Sequence, residues 1–203
     1  MPQKGQLTRE NIIAKAAPIF NTKGFAAASM TDVMHATGLQ KGGLYNHFAT
    51  KEELLLAAFD YALQQVTDAV LGVIKQEQTS TQKLTALVNF FRGYALNPVV
   101  AGGCPVLNGM VEADNVNPAL QSRVQQAQHD LVAAVARVIE NGKRYGEFSP
   151  TVDAERNAVV MIAMLEGATG LTRTAREQRY MDIVCDQLLQ FIVTELGQPT
   201  ITR

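Results

Sequence analysis

The sequence predicts an all-α protein of about nine helices, and three observations lead there. Aromatic residues make up 6 % of the 203 positions and tryptophan is absent. Apolar–polar alternation of the kind a half-buried strand needs is scarce, whereas apolar residues recur at helical spacing along nearly the whole chain. A hydrophobic content of 47 % is ample for a packed core.

Thr8 is placed to cap a first helix carrying Ile12, Ile13, Ala16, Ile19 and Phe20, with Gly24 as its stop and Pro18 either kinking it or being absorbed. Ser29-Met30-Thr31-Asp32 reads as a capping box opening a short helix through Val33, Met34 and Ala36. Gly38 supplies the turn. A second short helix follows from about Lys41 to His47, with Leu39, Leu44 and Phe48 forming its apolar face. Thr50 to Glu53 caps a long amphipathic helix that reaches about Lys75. The polar stretch Gln78 to Gln82 interrupts the chain, and Leu84, Leu87, Val88, Phe91 and Ala95 mark a helix ending before Asn97-Pro98. Ala101-Gly102-Gly103-Cys104-Pro105 is a turn from which Pro105 starts a helix running to about Asp114. Asn117-Pro118 begins a longer one, stopped near Gly142, and Arg144 to Pro150 is a loop. Two strongly apolar helices, about 153–172 and 177–196, close the series. The division expected is residues 1–50 as one domain and 51–203 as a second, with the long helix joining them directly.

The formal net charge is −1, yet residues 1–55 hold six Lys and Arg against four Asp and Glu. The N-terminal face is therefore the basic one. Cys104 and Cys185 are too far apart in sequence for a CxxC site, which leaves no disulfide framework, zinc site or cofactor indicated. No apolar leader opens the chain, and the longest apolar run, Ala158 to Leu165, falls short of the roughly 18 residues that span a bilayer. The expected location is cytoplasmic, with no membrane partner.

A short helix, a glycine turn and a second short helix form the helix-turn-helix arrangement, whose second helix enters the DNA major groove. That reading explains a costly choice. Gly42 and Gly43 each forfeit roughly 1 kcal/mol of helix propensity against alanine, but a backbone without Cβ atoms comes closer to bases and phosphates. Gln40 and Lys41 open the helix, where Lys41 adds a full charge for phosphate; with Leu44 and Phe48 turned inward, Tyr45 and Asn46 face outward, Tyr45 suiting phosphate and Asn46 an adenine edge. His47, Lys51 and Thr31 are further phosphate candidates. As spacing alone, the same cluster also fits a solvated helix face.

Gly24-Phe25, Ser29-Met30-Thr31-Asp32-Val33, Thr37-Gly38-Leu39, Lys41-Gly42-Gly43-Leu44-Tyr45-Asn46-His47-Phe48 and Lys51-Glu52-Glu53-Leu54 together resemble the N-terminal domain of the tetracycline-repressor (TetR) family of bacterial regulators. The resemblance covers about residues 8 to 60. It implies DNA contacts by Lys41, Gly42, Tyr45, His47 and Lys51, and C-terminal helices that bind a ligand and dimerise. Two departures stand out: Thr31 occupies a position often basic in the family, and Gly43 one that often bears a side chain.

A two-fold palindromic operator on double-stranded DNA requires a homodimer. Gly167, Ala168 and Gly170 allow close helix approach, and Tyr180, Ile183, Val184, Leu188, Phe191 and Ile192 form the accompanying apolar stripe. An effector pocket within the helical C-terminal domain would draw on Phe59, Leu63, Phe90, Tyr94, Cys104, Met110, Met161, Met164 and Glu166, residues that otherwise serve as plain core. An apolar or amphipathic small molecule suits such a lining. The expected function is a non-enzymatic, ligand-responsive DNA-binding regulator, most simply a repressor. The alternatives are an enzyme using Cys104 with His129 as base, and a non-DNA interaction module on the same scaffold.

Overall fold

The computed structural model describes residues 2–113 and 117–197. The described residues form α1 (Pro2–Lys23), α2 (Met30–Thr37), α3 (Lys41–Tyr45), α4 (Lys51–Ile74), α5 (Ser80–Tyr94), α6 (Pro105–Ala113), α7 (Pro118–Arg144), α8 (Ala154–Ala175) and α9 (Arg179–Thr194). The all-α expectation holds, with one isolated bridge, Phe148 to Gly197, as the extended pairing among these residues. Asp114, expected to end α6, lies outside the described residues.

Packing divides the chain into two compact units, Met1–Thr67 with Pro98–Gln125, and Asp68–Asn97 with Gln126–Arg203. This partition differs from a simple cut at residue 50. α4 and α7 each supply residues to both units, and α6 belongs to the first.

In the first unit α1 starts well before Thr8, which sits inside the helix rather than capping it. Gln6 and Glu10, one turn apart, are bonded side chain to side chain at 3.1 Å, so the polar lead-in continues the helix. Pro18 is absorbed within α1. Ile12, Ala16 and Phe20 bury one face of α1, and Val33, Leu44, Phe48, Leu54 and Phe59 are buried with them. Each such large side chain contributes about 1.5–3 kcal/mol on burial. Phe25 stands between Phe20 and Phe59, its ring centroid 6.4 Å from each.

In the second unit α9 packs against both α5 and α8. The start of α5 corrects the sequence expectation: Thr79 and Gln82 form a capping box, so the polar stretch is half cap and half helix. Glu147 reinforces it from far along the chain, its carboxylate accepting from the Ser80 amide at 2.8 Å and the Thr81 amide at 2.9 Å. Burial alone would raise the Glu147 pKa; the amides of Ser80 and Thr81 and the hydroxyls of Thr81 and Thr79 outweigh it and hold the carboxyl below its ordinary value.

The α7 stop also differs from expectation. The helix runs through Gly142 and ends before Gly146, which adopts the left-handed conformation at φ 74°. Gly142 serves packing instead: a Cβ there would lie 2.1 Å from the ring of the fully buried Phe148. In the same unit Arg92 of α5 reaches Asp182 at 3.4 Å and Asp186 at 2.7 Å on α9. Burial pushes the Cys185 thiol up to about 11, so it behaves as a small apolar side chain rather than a thiolate.

Two outcomes follow from these contacts. Gly142→Ala is expected to lose about 1–3 kcal/mol in urea unfolding despite its better helix propensity, because the Phe148 ring has to move. A stability equal to or above that of the unsubstituted chain would refute the packing role. For Glu147→Gln, the loss of stability should be complete above the ordinary glutamate pKa of about 4.3 and should shrink as pH falls through the depressed folded value. Unfolding curves collected between neutral pH and acid, with a pH-independent difference, would count against this cap.

Candidate nucleic-acid interface

The reading pair is built by local chemistry in the first unit. Ser29 and Asp32 form the anticipated capping box: the Asp32 amide donates to Ser29 Oγ at 3.2 Å, and the Ser29 amide donates to Asp32 Oδ2 at 2.8 Å. Lys23 joins it at 2.6 Å. The Lys23 hydrogen bond, followed by those from the Ser29 hydroxyl and amide, holds the Asp32 pKa at about 2. At the other end of α2, Gly38 takes φ 73° and its N–H donates to the Met34 carbonyl at 2.9 Å. A side chain would be strained there.

α3 is shorter than expected, because the chain tightens after Tyr45 with the His47 N–H donating to Leu44 O at 3.0 Å. Leu44 and Phe48 are completely buried and fix its rotation. That rotation leaves Gln40, Lys41, Gly42, Tyr45 and Asn46 exposed, with Gly43 and His47 half-buried and Thr31 exposed on α2. The Lys41 amine lies over the Tyr45 ring, 5.8 Å from its centre, so the two polar tips share one face. Around Gly42 a Cβ would meet nothing within 4 Å, and its backbone is not left-handed. Among the described residues nothing requires glycine at that position.

Lys51, expected to face the same phosphate backbone, also has a partner within the chain: its amine donates to the Ala26 carbonyl at 3.2 Å. Three supporting cations carried no sequence signal. Lys15 donates to the Ala36 carbonyl at 2.8 Å, Lys23 bridges to Asp32, and Arg9 covers the Phe48 ring at 4.5 Å while reaching Glu53 at 3.6 Å. Their partners are distant in sequence, and spacing rules do not reach them.

The effector candidates fall into both compact units: Phe59, Leu63, Cys104 and Met110 in the first; Phe90, Tyr94, Met161, Met164 and Glu166 in the second. Phe59 lines a narrow crevice with Ala17, Phe20, Asn21, Phe25, Ala58, Ala62 and Pro105, too tight to admit even a water molecule. In the second unit Phe90 stacks on Tyr94 at 5.6 Å, and Met161 and Glu166 are buried. Cys104 is buried and its sulfur accepts from the Leu107 amide at 3.5 Å. Among the described residues no group of three His, Cys, Asp or Glu is placed to hold a metal ion, and no helix is long and apolar enough to cross a membrane.

On α8 and α9 the expected dimer stripe needs revision. Leu188 and Ile192 are 0 % and 1 % exposed, so they belong to the chain's own core. Ala168 is likewise buried. Ile183 and Gly167 are exposed, and Gly170, Tyr180, Val184 and Phe191 are half-buried. Val159, Val160, Leu171 and Val193, absent from the sequence expectation, are exposed apolar residues on the same two helices.

Residues 12–58 match the model of the bacterial regulatory proteins of the tetR family, and residues 80–188 match the tetracyclin repressor-like C-terminal domain. A TetR transcriptional regulator from Chloroflexus aurantiacus superposes with a TM-score of 0.93 at 37 % identity, covering 97 % of this chain and 100 % of that one. A TetR-family regulator from Cytophaga hutchinsonii gives 0.91 at 32 % identity, over 97 % and 98 % of the two chains. An uncharacterised HTH-type transcriptional regulator of Mycobacterium tuberculosis is 26 % identical across 94 % of this chain and 96 % of its own length. With both domain models matched and full-length likeness to solved members, the chain belongs to the TetR family and is a DNA-binding transcriptional regulator.

Proposed function

We propose that this regulator is a homodimeric repressor that reads a palindromic operator through residues 1–50 and is released by a small molecule bound within residues 51–203. The observation that carries the DNA-reading assignment is the exposed face of α3, where the burial of Leu44 and Phe48 turns Lys41, Gly42, Tyr45 and Asn46 outward together. Gly42 leaves the middle of that face without a Cβ, so a bulky surface can come close to the backbone there. Lys41, Tyr45, His47, Lys51 and Thr31 supply phosphate contacts; Gln40 and Asn46 supply polar groups for base edges, and Gly43 lets the backbone approach. Lys51 retains two further ammonium donors beyond its bond to Ala26.

Dimerisation is assigned to the outward faces of α8 and α9. Val159, Val160, Leu171, Ile183 and Val193 are exposed apolar side chains on these two mutually packed helices, surface that a second copy of the chain would cover. Gly167 faces open space, so the chain's own packing does not explain it either. The effector is proposed to be an apolar or amphipathic molecule held within the second unit, with Phe90, Tyr94, Met161, Met164 and Glu166 as its lining residues. Support for these roles comes from fold neighbours below 20 % identity: a CifR cysteine mutant solved with 26-bp operator DNA, and a Saccharomonospora viridis regulator solved with choline. DhaR of a Mycobacterium species, 23 % identical, is named a transcriptional repressor. Coupling of about 1–3 kcal/mol between effector and operator is enough for regulation.

Gly42→Ala should gain up to about 1 kcal/mol in unfolding stability and lose tenfold or more in affinity for the selected operator duplex. Lys41→Ala should weaken binding similarly and reduce the salt slope by about one. Anisotropy titrations at two salt concentrations read both, and undiminished affinity in Gly42→Ala would remove the assignment. Separately, Ile183→Asp should convert the dimer to monomer in sedimentation equilibrium and lower operator affinity with it. A dimer that survives this change puts the seam elsewhere.

A further inference from the structure

The turn before α6 and α6 itself are bonded to the last turn of α1, across 80 to 87 residues of sequence. The Asn21 side-chain amide, 6 % exposed, donates to the carbonyls of Ala101 at 2.9 Å and Gly103 at 2.8 Å. Asn108 of α6 donates from Nδ2 to Asn21 Oδ1 at 2.9 Å, to the Asn21 carbonyl at 3.0 Å and to the Gly102 carbonyl at 2.9 Å. The glycine turn fits this grip closely: at Gly102, φ 96°, a Cβ would lie 2.3 Å from the Asn21 carbonyl oxygen. One turn further along α6, the Glu112 carboxylate accepts the Phe25 N–H, and Gly24 leaves the room for it.

From there the connection continues into the reading pair. Lys23, two residues after Asn21, bridges to Asp32 in the cap of α2, and Lys15 of α1 holds the carbonyl of Ala36 at its far end. α1 and α2 are packed against each other. The segment 101–112 is therefore attached by hydrogen bonds to the end of α1 and to Phe25, and α1 in turn is bonded to both ends of α2. Hydrogen bonds of a buried amide are directional, and a displaced Asn21 would keep neither of its two acceptors.

We propose that Asn21 and Asn108 are positioning residues for DNA reading, forming the joint through which the segment 101–112 sets the placement of α1 and α2. The inference rests on the DNA-reading assignment above and adds an element that never touches DNA. It accounts for the sequence Gly102-Gly103-Cys104-Pro105-Val106-Leu107-Asn108, whose glycines and asparagine the reading pair alone leaves unexplained.

The test uses the full-length protein and a labelled duplex recovered by genomic selection with the unsubstituted chain. Asn108→Ala should lower operator affinity about tenfold with the salt slope unchanged, because the phosphate contacts persist while the competent arrangement is populated less. Hydrogen exchange at residues 24–28 should quicken, and the dimer should persist. Asn108→Asp keeps the shape but sets oxygen against the same carbonyls, and should lose affinity likewise. In the unsubstituted protein, operator binding should slow exchange across residues 101–108, by reciprocity of coupling. That arm needs no variant and stands even if a substitution prevents folding. Affinity unchanged in Asn108→Ala, a lowered salt slope, or exchange at 101–108 indifferent to DNA would each overturn the joint. Failure of the unsubstituted protein to select any duplex would overturn the DNA reading itself.

Discussion

A helix of five residues cannot hold itself together, because nucleation consumes more conformational freedom than one or two hydrogen bonds return. The reading surface depends on that constraint being met from outside. Leu44 and Phe48, both without exposed surface, pin α3 to the first unit and fix which side chains face out. Everything asked of Lys41, Tyr45 and Asn46 follows from the rotation those two residues impose. The same constraint explains why the surrounding caps are so complete: Ser29 with Asp32 at the front of α2, and left-handed Gly38 at its end, leave the turn no freedom to drift.

Local chemistry was the legible part of the fold. The Ser29 box, the Gly38 turn and Pro105 as the first residue of α6 are each decided by atoms within a few residues of one another, and the structure has them where spacing rules put them. Thr8 misled because a capping residue is also tolerated inside a helix when the residues before it continue the turn. Gly142 misled for a different reason. Glycine ends helices by its backbone freedom, but here it is used for its missing side chain, and the ring that needs the space was not foreseeable from period. The polar stretch Gln78 to Gln82 looks like a break by polarity alone, yet the Thr79–Gln82 pairing within it is what starts α5.

At the candidate site the same division holds. Exposure of Lys41, Tyr45 and Asn46 followed from the burial of Leu44 and Phe48, so the face was readable. The acceptor chosen by Lys51 was not, since Ala26 lies 25 residues away and offers only a carbonyl. Leu188 and Ile192 illustrate the limit of an apolar stripe: α9 is apolar on more than one side, and composition does not say which side a chain keeps for itself. Asn21 and Asn108 show the other limit. Polar residues scattered in sequence become one hydrogen-bonded cluster only after folding.

The fit between Gly142 and Phe148 bears on how this sequence can diverge. Two positions that share one volume do not vary independently. A lineage that acquires any side chain at 142 must first or simultaneously shrink the residue at 148, and a lineage that keeps a large ring at 148 is confined to glycine at 142. Across descendants the pair should therefore change together or not at all, though neither residue belongs to the reading helices. Because Glu147 beside it caps α5, such an exchange also has to preserve where that carboxylate points. The loop at 145–149 is thus constrained like core, although its sequence, Tyr145-Gly146-Glu147-Phe148-Ser149, reads as an ordinary surface turn.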